Sequence, residues 1–169
     1  RDYMSAGFKA LDQDKFVAAN QAFNNAGSLY NSDPAVAKAL SQVRTRRSQV
    51  AVSLKMEEAI GYEKKELWST ALEIYQSLLL TDPSLSEAKI RIISASVRAN
   101  LDNQINVILA DPLKLASSRI YREAQKLLQD AMSINMQGPL LSRQITDLDT
   151  VLRQSRTAVK VVLQSDNLT

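Results

Sequence analysis

The four prolines of this 169-residue chain constrain its fold more than any other feature, because they divide it at widely separated points. Each one follows aspartate or glycine, in the pairs Asp33-Pro34, Asp82-Pro83, Asp111-Pro112 and Gly138-Pro139. Proline is tolerated in the first turn of a helix, where its missing N–H has no partner to lose. The pattern therefore predicts helices that begin near these points.

The apolar residues between the prolines recur with the period of a helix. From Pro34 onward the spacing alternates between four and three residues, which predicts one helix over 35–64. A second long helix is predicted over 85–110, and its apolar face consists of Ile90, Ile93, Val97, Leu101, Ile105 and Ile108. The other predicted helices cover about 2–12, 15–31, 67–80, 113–136 and 140–158. The predicted fold class is all-α, with antiparallel helical hairpins followed by long antiparallel helices.

The last residues follow a different pattern. Val159, Val161 and Leu163 are separated by single residues and precede a run of turn-forming residues. Such alternation predicts a short β-strand, and one strand is not stable alone. Residues 159–169 are therefore interpreted as the start of a truncated β domain or as a tail. The chain begins with Arg1 and not with methionine, which favours a fragment of a longer protein or a processed product.

Residue types that commonly carry catalysis are missing or widely spaced. The chain has no histidine and no cysteine, which removes the usual general base, the thiol nucleophile and the common zinc ligands. Its four glycines are too far apart for a phosphate-binding loop. Three carboxylate pairs are interpreted as solvated helix faces: Glu57 with Glu58, Glu63 with Glu66, and Asp147 with Asp149. The sequence therefore predicts no enzyme activity, no cofactor and no metal site.

A cluster of arginines is the candidate for contact with an anion or a nucleic acid. Arg44, Arg46 and Arg47 lie close together in the predicted helix over 35–64. The net charge is only +3, whereas phosphate binding normally needs a denser set of cations. Nucleic-acid binding is therefore a minor alternative. No run of about 18 apolar residues is present, so this fragment itself is not expected to contact a membrane.

One segment places small and large residues in a specific order on two helices. The order is Ala59 and Tyr62, then Trp68, Ala71, Tyr75 and Leu78, then Asp82-Pro83. Residues 52–85 resemble in this respect a tetratricopeptide repeat, a helical hairpin of 34 residues. The small residues Ala59 and Ala71 let two antiparallel helices approach closely, and the large residues fill the space between them. One departure is Lys55, which stands where the family has a large residue.

The same order occurs a second time, 52 residues earlier in the chain. The offset exceeds 34 residues by 18, about five helical turns, so a longer helix can absorb the excess without rotating its buried face. We therefore predict two hairpins in 1–85 that share the helix 35–64, a long-helix extension in 86–158, and the β segment in 159–169. The resemblance assigns repeat packing to ten residues: Gly7, Phe16, Ala19, Phe23, Ala59, Tyr62, Trp68, Ala71, Tyr75 and Pro83.

The tetratricopeptide resemblance implies a concave peptide groove, because the first helix of each repeat lines that face in the family. The residues at these positions are Met4, Phe8 and Leu11 from the first hairpin and Met56, Ile60 and Glu63 from the second. The lysine and asparagine residues that bind a peptide carboxylate in chaperone-binding members are not at these positions. The implied partner is therefore an apolar peptide or helix. The alternative is that the helices after residue 84 cover this surface and make it core.

The expected function is a non-catalytic protein-interaction or spacer module whose partner is another protein or peptide. A different class of function is homo-oligomerisation, in which the long heptad-like helices pair with those of another copy and Arg47 at a core position sets the register.

Residues 138–169 are also similar to the end of the helical region in uncharacterised bacterial envelope-associated proteins, in which a β-rich module resembling a PEGA-type domain follows. This resemblance implies a membrane-anchored bacterial chain in the periplasm or envelope.

Overall fold

The computed structural model of the protein describes residues 2–29 and 33–157, which form seven α-helices and one 3₁₀ helix. The α-helices are α1 Asp2–Asp12, α2 Phe16–Leu29, α3 Pro34–Lys64, α4 Trp68–Thr81, α5 Ser86–Ala110, α6 Ser118–Met132 and α7 Pro139–Ser155, and the 3₁₀ helix is Pro112–Ala116. The all-α prediction is confirmed. The strand expected within 159–169 lies outside the described residues.

The core consists of three apolar clusters that follow one another along the chain. The first is built by α1, α2 and the start of α3 around Phe23. The second is built by the end of α3, α4 and the start of α5 around Tyr75. The third joins the end of α5 to the 3₁₀ helix, α6 and α7 around Ile105 and Leu148. The long helices α3 and α5 therefore each contribute to two clusters.

The turns of the α1–α2 and α3–α4 hairpins have the same geometry at an offset of 52 residues. Asp14 and Glu66 both have a positive φ, of 54° and 57°. The next residue of each turn donates its N–H to a carbonyl five positions earlier, Lys15 to Ala10 and Leu67 to Tyr62. This is the pattern of a Schellman helix end, which usually carries glycine at the positive-φ position. Both turns have an acidic residue there instead.

The residues assigned to repeat packing lie mostly in the first two clusters. Five of them have no exposed surface, namely Ala19, Phe23, Ala59, Ala71 and Tyr75. Gly7 is also buried, and a Cβ at this position would overlap the ring of Phe23. Phe16, Tyr62 and Trp68 are half-buried at the cluster edges, and Pro83 is exposed after α4. Close approach of the helices therefore coincides with small residues in both hairpins.

Two details of the predicted helices are wrong. The helix expected over 113–136 is divided, because Ser117 adopts an extended conformation between the 3₁₀ helix and α6. In the first half of α5, Ile90, Ile93 and Val97 point away from the core, and the smaller Ala88 and Ala95 are buried instead. Leu101 and Ile105 in the second half are buried as predicted. The helical period predicts that α5 has an apolar face, but the neighbouring helix α4 determines which face of α5 is covered.

In the part of the chain that the structure describes, no helix is both long and apolar enough to cross a membrane.

Candidate functional site

A buried carboxylate connects the second and third clusters. Glu66 lies in the α3–α4 turn and accepts the backbone N–H groups of Leu140 and Leu141, at 2.7 and 3.1 Å. These groups belong to the first turn of α7, whose N–H groups have no partner within the helix. Glu66 therefore caps α7 from a distant part of the chain, and the positive end of the helix dipole favours its charge.

Arg98 on α5 completes the surroundings of Glu66. Its Nη2 donates to Glu66 Oε2 at 3.1 Å, and both side chains are about nine-tenths buried. The guanidinium group also lies 4.9 Å from the ring centre of Trp68, within the range of a cation–π contact. Burial lowers the pKa of Arg98, and the charge of Glu66 opposes this effect. We call Glu66, Arg98, Trp68 and Gly138 the hub.

Gly138 is required by the position of Glu66. A Cβ on residue 138 would overlap the carboxylate of Glu66. Glycine at this position therefore lets the start of α7 approach close enough for its N–H groups to reach the carboxylate. Both carboxylate oxygens of Glu66 accept hydrogen bonds from within the protein, so this side chain serves to hold α5 and α7 together.

A groove lies beside the hub. One part, with a volume of about 790 Å³, is bounded by Trp68 and Arg98 on one side and by the loop 134–138 on the other. A second part of about 480 Å³ extends along α5 past Ile90 and Arg91. Both parts are lined by Glu63, Trp68 and Ser94, so they form one continuous groove. We call it the α5 groove.

The charged residues along the α5 groove are largely paired with one another. Arg91 donates to Glu63 and to Glu87, both at 2.9 Å. The hydroxyl of Tyr75 donates to the other oxygen of Glu63 at 2.8 Å. Burial and the bond to Glu63 raise the pKa of Tyr75 above its ordinary range. An apolar ligand in the groove would therefore leave these ion pairs intact.

Apolar side chains stand at both ends of the α5 groove. Ile90 is 70% exposed, and Met136 in the loop before α7 is 88% exposed. Large exposed apolar residues at the rim of a groove are a common feature of protein-interaction sites.

The six residues of the predicted peptide groove lie in two separate places. Met4 and Leu11 pack against the first cluster, and Phe8 lies edge-on against Phe23 with ring centres 5.0 Å apart. The other three lie near the opposite end of α3. Met56 is buried in the second cluster, Ile60 is half-buried against it, and Glu63 lines the α5 groove. Only Glu63 among the six lines this groove.

The arginine cluster lies on an exposed stretch of α3 between the first and second clusters. Arg44, Arg46 and Arg47 are all exposed. Arg46 donates to Asp14 at 2.9 Å, and this pair raises the pKa of Arg46. The heptad-like face of the same helix, on which oligomerisation was predicted, includes Leu40, Arg47 and Leu54. Leu40 is half-buried, while Arg47 and Leu54 are exposed.

The hub was not predicted from the sequence. The pair Glu63 and Glu66 was interpreted as a solvated helix face, but Glu66 is buried and Glu63 is half-buried. One local signal existed, since Gly138-Pro139 marks a helix start without a side-chain cap of its own.

The interpretation of a solvated helix face does hold for Asp147 and Asp149, which pair on α7 with Arg143 and Arg153. Across residues 2–29 and 33–157, no three acidic side chains converge on a possible metal position.

Comparisons with protein-family models, with curated proteins and with solved structures give no match for this chain.

Proposed function

We propose that this chain is a non-catalytic protein-interaction module that binds an apolar peptide or helix in the α5 groove. The observation that carries the proposal is the combination of exposed Ile90 and Met136 at the ends of a groove whose acidic and guanidinium groups are paired. Binding an apolar segment there removes apolar surface from water, and it leaves no buried charge without its partner.

The shape of the groove also supports a helix or an extended peptide over a compact small molecule. The groove runs from Ile90 on α5 to the loop around Met136, and Trp68 lies in its shared middle part. An amphipathic helix placed in such a groove inserts apolar residues from one face. The resemblance of residues 52–85 to a tetratricopeptide repeat favours the same kind of partner.

The test is a binding screen with short apolar and amphipathic peptides, followed by fluorescence polarisation with the strongest binder. Ile90→Glu and Met136→Glu each place a charge at one end of the groove, and we expect each to weaken binding by at least about tenfold. The matched control is Leu80→Glu on α4, because Leu80 is 87% exposed and does not line the groove. Equal losses in all three variants, or unchanged affinity in the two groove variants, would contradict the proposal.

A further inference from the structure

Beyond Ile90, a line of residues along α5 forms a seam that no other part of the described chain covers. Ile93, Val97, Asn100, Gln104 and Val107 follow one another at spacings of four, three, four and three residues, which places them in one line along the helix. All five are exposed, and the three apolar members have between 53% and 66% of their surface in solvent. We call these five residues the seam. It is distinct from the α5 groove, which none of them lines.

On α5 itself, the exposed residues from 93 to 110 carry no charge. Between residues 93 and 110 of α5 only Arg98 and Asp102 are charged, and both face inward, to Glu66 and to Gln144. The remaining exposed positions of this stretch hold isoleucine, valine, alanine, serine, asparagine and glutamine. The exposed face of α6 differs, since it holds Arg119, Arg122, Glu123, Lys126 and Asp130. A long uncharged strip is unusual on the surface of a chain in which 23% of residues are charged.

An uncharged amide-bearing surface is suited to pairing with its own copy. Around a two-fold axis, a charged residue at the centre meets the same charge, which is unfavourable. An amide side chain both donates and accepts, so asparagine can pair with asparagine. The two amides of the seam also contact each other, because Gln104 donates to Asn100 at 3.1 Å.

We propose that two copies of this chain associate through the seam about a two-fold axis, with their α5 helices antiparallel. Centred on Asn100, this arrangement places Asn100 opposite its own copy and Ile93 opposite Val107 of the other copy. The amides then meet in the middle and the apolar residues meet at both ends. Beside Gln104 and Val107 the surface also carries Lys114, Arg119 and Glu123. Arg119 pairs with Glu123 and Lys114 pairs with Asp111, so these groups add no net charge.

The association is expected to be weak and reversible. The part of α5 that carries the seam is about 22 Å long, so one helix pair buries less than the roughly 800 Å² per partner of a standard interface. Sedimentation velocity at about 10–200 µM is the direct measurement, and we expect the average mass to rise from monomer toward dimer across this range. A mass that stays monomeric throughout would overturn the proposal.

Charge substitution tests the antiparallel register. Ile93→Lys and Val107→Glu alone should each weaken association by at least about tenfold, because each places an unpaired charge against an apolar residue. The double variant Ile93→Lys with Val107→Glu should recover most of the affinity, since the lysine of one copy then faces the glutamate of the other. Absence of recovery in the double variant would overturn the proposed arrangement.

Two controls separate the seam from other surfaces. Leu80→Lys places the same charge on the exposed face of α4 and should leave the dissociation constant unchanged. Met136→Glu, which acts in the α5 groove, should also leave self-association unchanged, so failure of the proposed function and failure of the dimer are distinguishable. An equal loss in Leu80→Lys and Ile93→Lys would overturn the role of the seam.

Discussion

Two ion pairs in this protein occupy equivalent positions in the two hairpins but differ in their exposure to solvent. In each hairpin, an acidic residue in the positive-φ position of the turn pairs with an arginine 32 residues later, Asp14 with Arg46 and Glu66 with Arg98. The two pairs are related by the 52-residue offset. The side chains of the first pair are 52% and 39% exposed, whereas those of the second are 10% and 8% exposed.

The start of α7 causes the difference. It covers Glu66 and supplies two N–H donors from Leu140 and Leu141, and no equivalent helix covers Asp14 among the described residues. An exposed ion pair contributes little to stability, because water and salt screen it. A buried pair is costly to break, because the charge that remains is buried without a counterion and without water to solvate it. The same local turn is therefore a minor surface feature in one hairpin and a connection between clusters in the other.

Removal of the buried arginine should have the largest effect. Arg98→Ala leaves the Glu66 charge buried without its cation, and we expect the free energy of unfolding to fall by about 3–5 kcal/mol. Urea denaturation followed by circular dichroism measures the change. Arg46→Ala is the matched control in the first hairpin, and its effect should be much smaller. Similar losses in the two variants would mean that burial by α7 does not distinguish the pairs.

Substitution of Tyr75 should make the second hairpin more like the first, in which Phe23 occupies the position 52 residues earlier. Tyr75→Phe removes the hydrogen bond to Glu63, and the expected loss is about 1.5–3 kcal/mol.

The pH dependence of stability provides a second readout of Tyr75. Because folding raises the pKa of this tyrosine, its contribution is fully present below the ordinary value near 10 and is lost as the pH rises toward the folded-state pKa. Stability should therefore fall above pH 10 in the wild type and fall less steeply in Tyr75→Phe. Urea titrations across alkaline pH compare the two, and identical slopes would contradict this account.

Glycine substitutions test the close approach of α7. Gly138→Ala places a methyl group against the Glu66 carboxylate, and we expect a loss of about 1–3 kcal/mol from this overpacking. Gly61→Ala is the control within α3, because no neighbouring atom lies within 4 Å of a Cβ there. It should stabilise the protein by roughly 0.5–1 kcal/mol, since alanine favours the helix more than glycine does. Thermal unfolding of both variants should therefore shift in opposite directions.

The two long helices, α3 and α5, should also differ in the rate at which their amides exchange hydrogen, and this is the smallest of the expected effects. Residues 44–49 of α3 are exposed on every side, whereas α5 is held at Arg98 and Ala99 where it passes from the second cluster to the third. We expect amides of 45–50 to exchange at least about tenfold faster than those of 96–101 in the native protein. Arg98→Ala should reduce this difference, and no change in the variant would argue against the hub as the cause.

Much of the fold could be predicted because its signals act over short distances. Asp33 caps α3 through the N–H of Ala35, and the helix begins at Pro34 as predicted. The positions of small and large residues also predicted the buried residues of both hairpins, including Ala59 and Ala71. Such signals depend on neighbours within a few residues, so a single sequence contains them.

The candidate site could be predicted only in small part. Of the six groove residues, Glu63 alone lines the α5 groove, because no local pattern shows that residues near 66, 98 and 138 meet. The predicted buried face of α5 is wrong in the first half of the helix, where Ile90 and Ile93 are exposed and Ala88 is buried. It is correct in the second half, where Leu101 and Ile105 are buried.

The sequence by itself determined where most of the helices begin, such as α3 at Pro34, and that two hairpins share one order of residues at an offset of 52. Only the tertiary structure decided that Glu66 is buried while Asp14 is exposed. The physical reason is that helix formation and capping depend on adjacent residues, whereas the burial of a charge depends on which distant helix covers it.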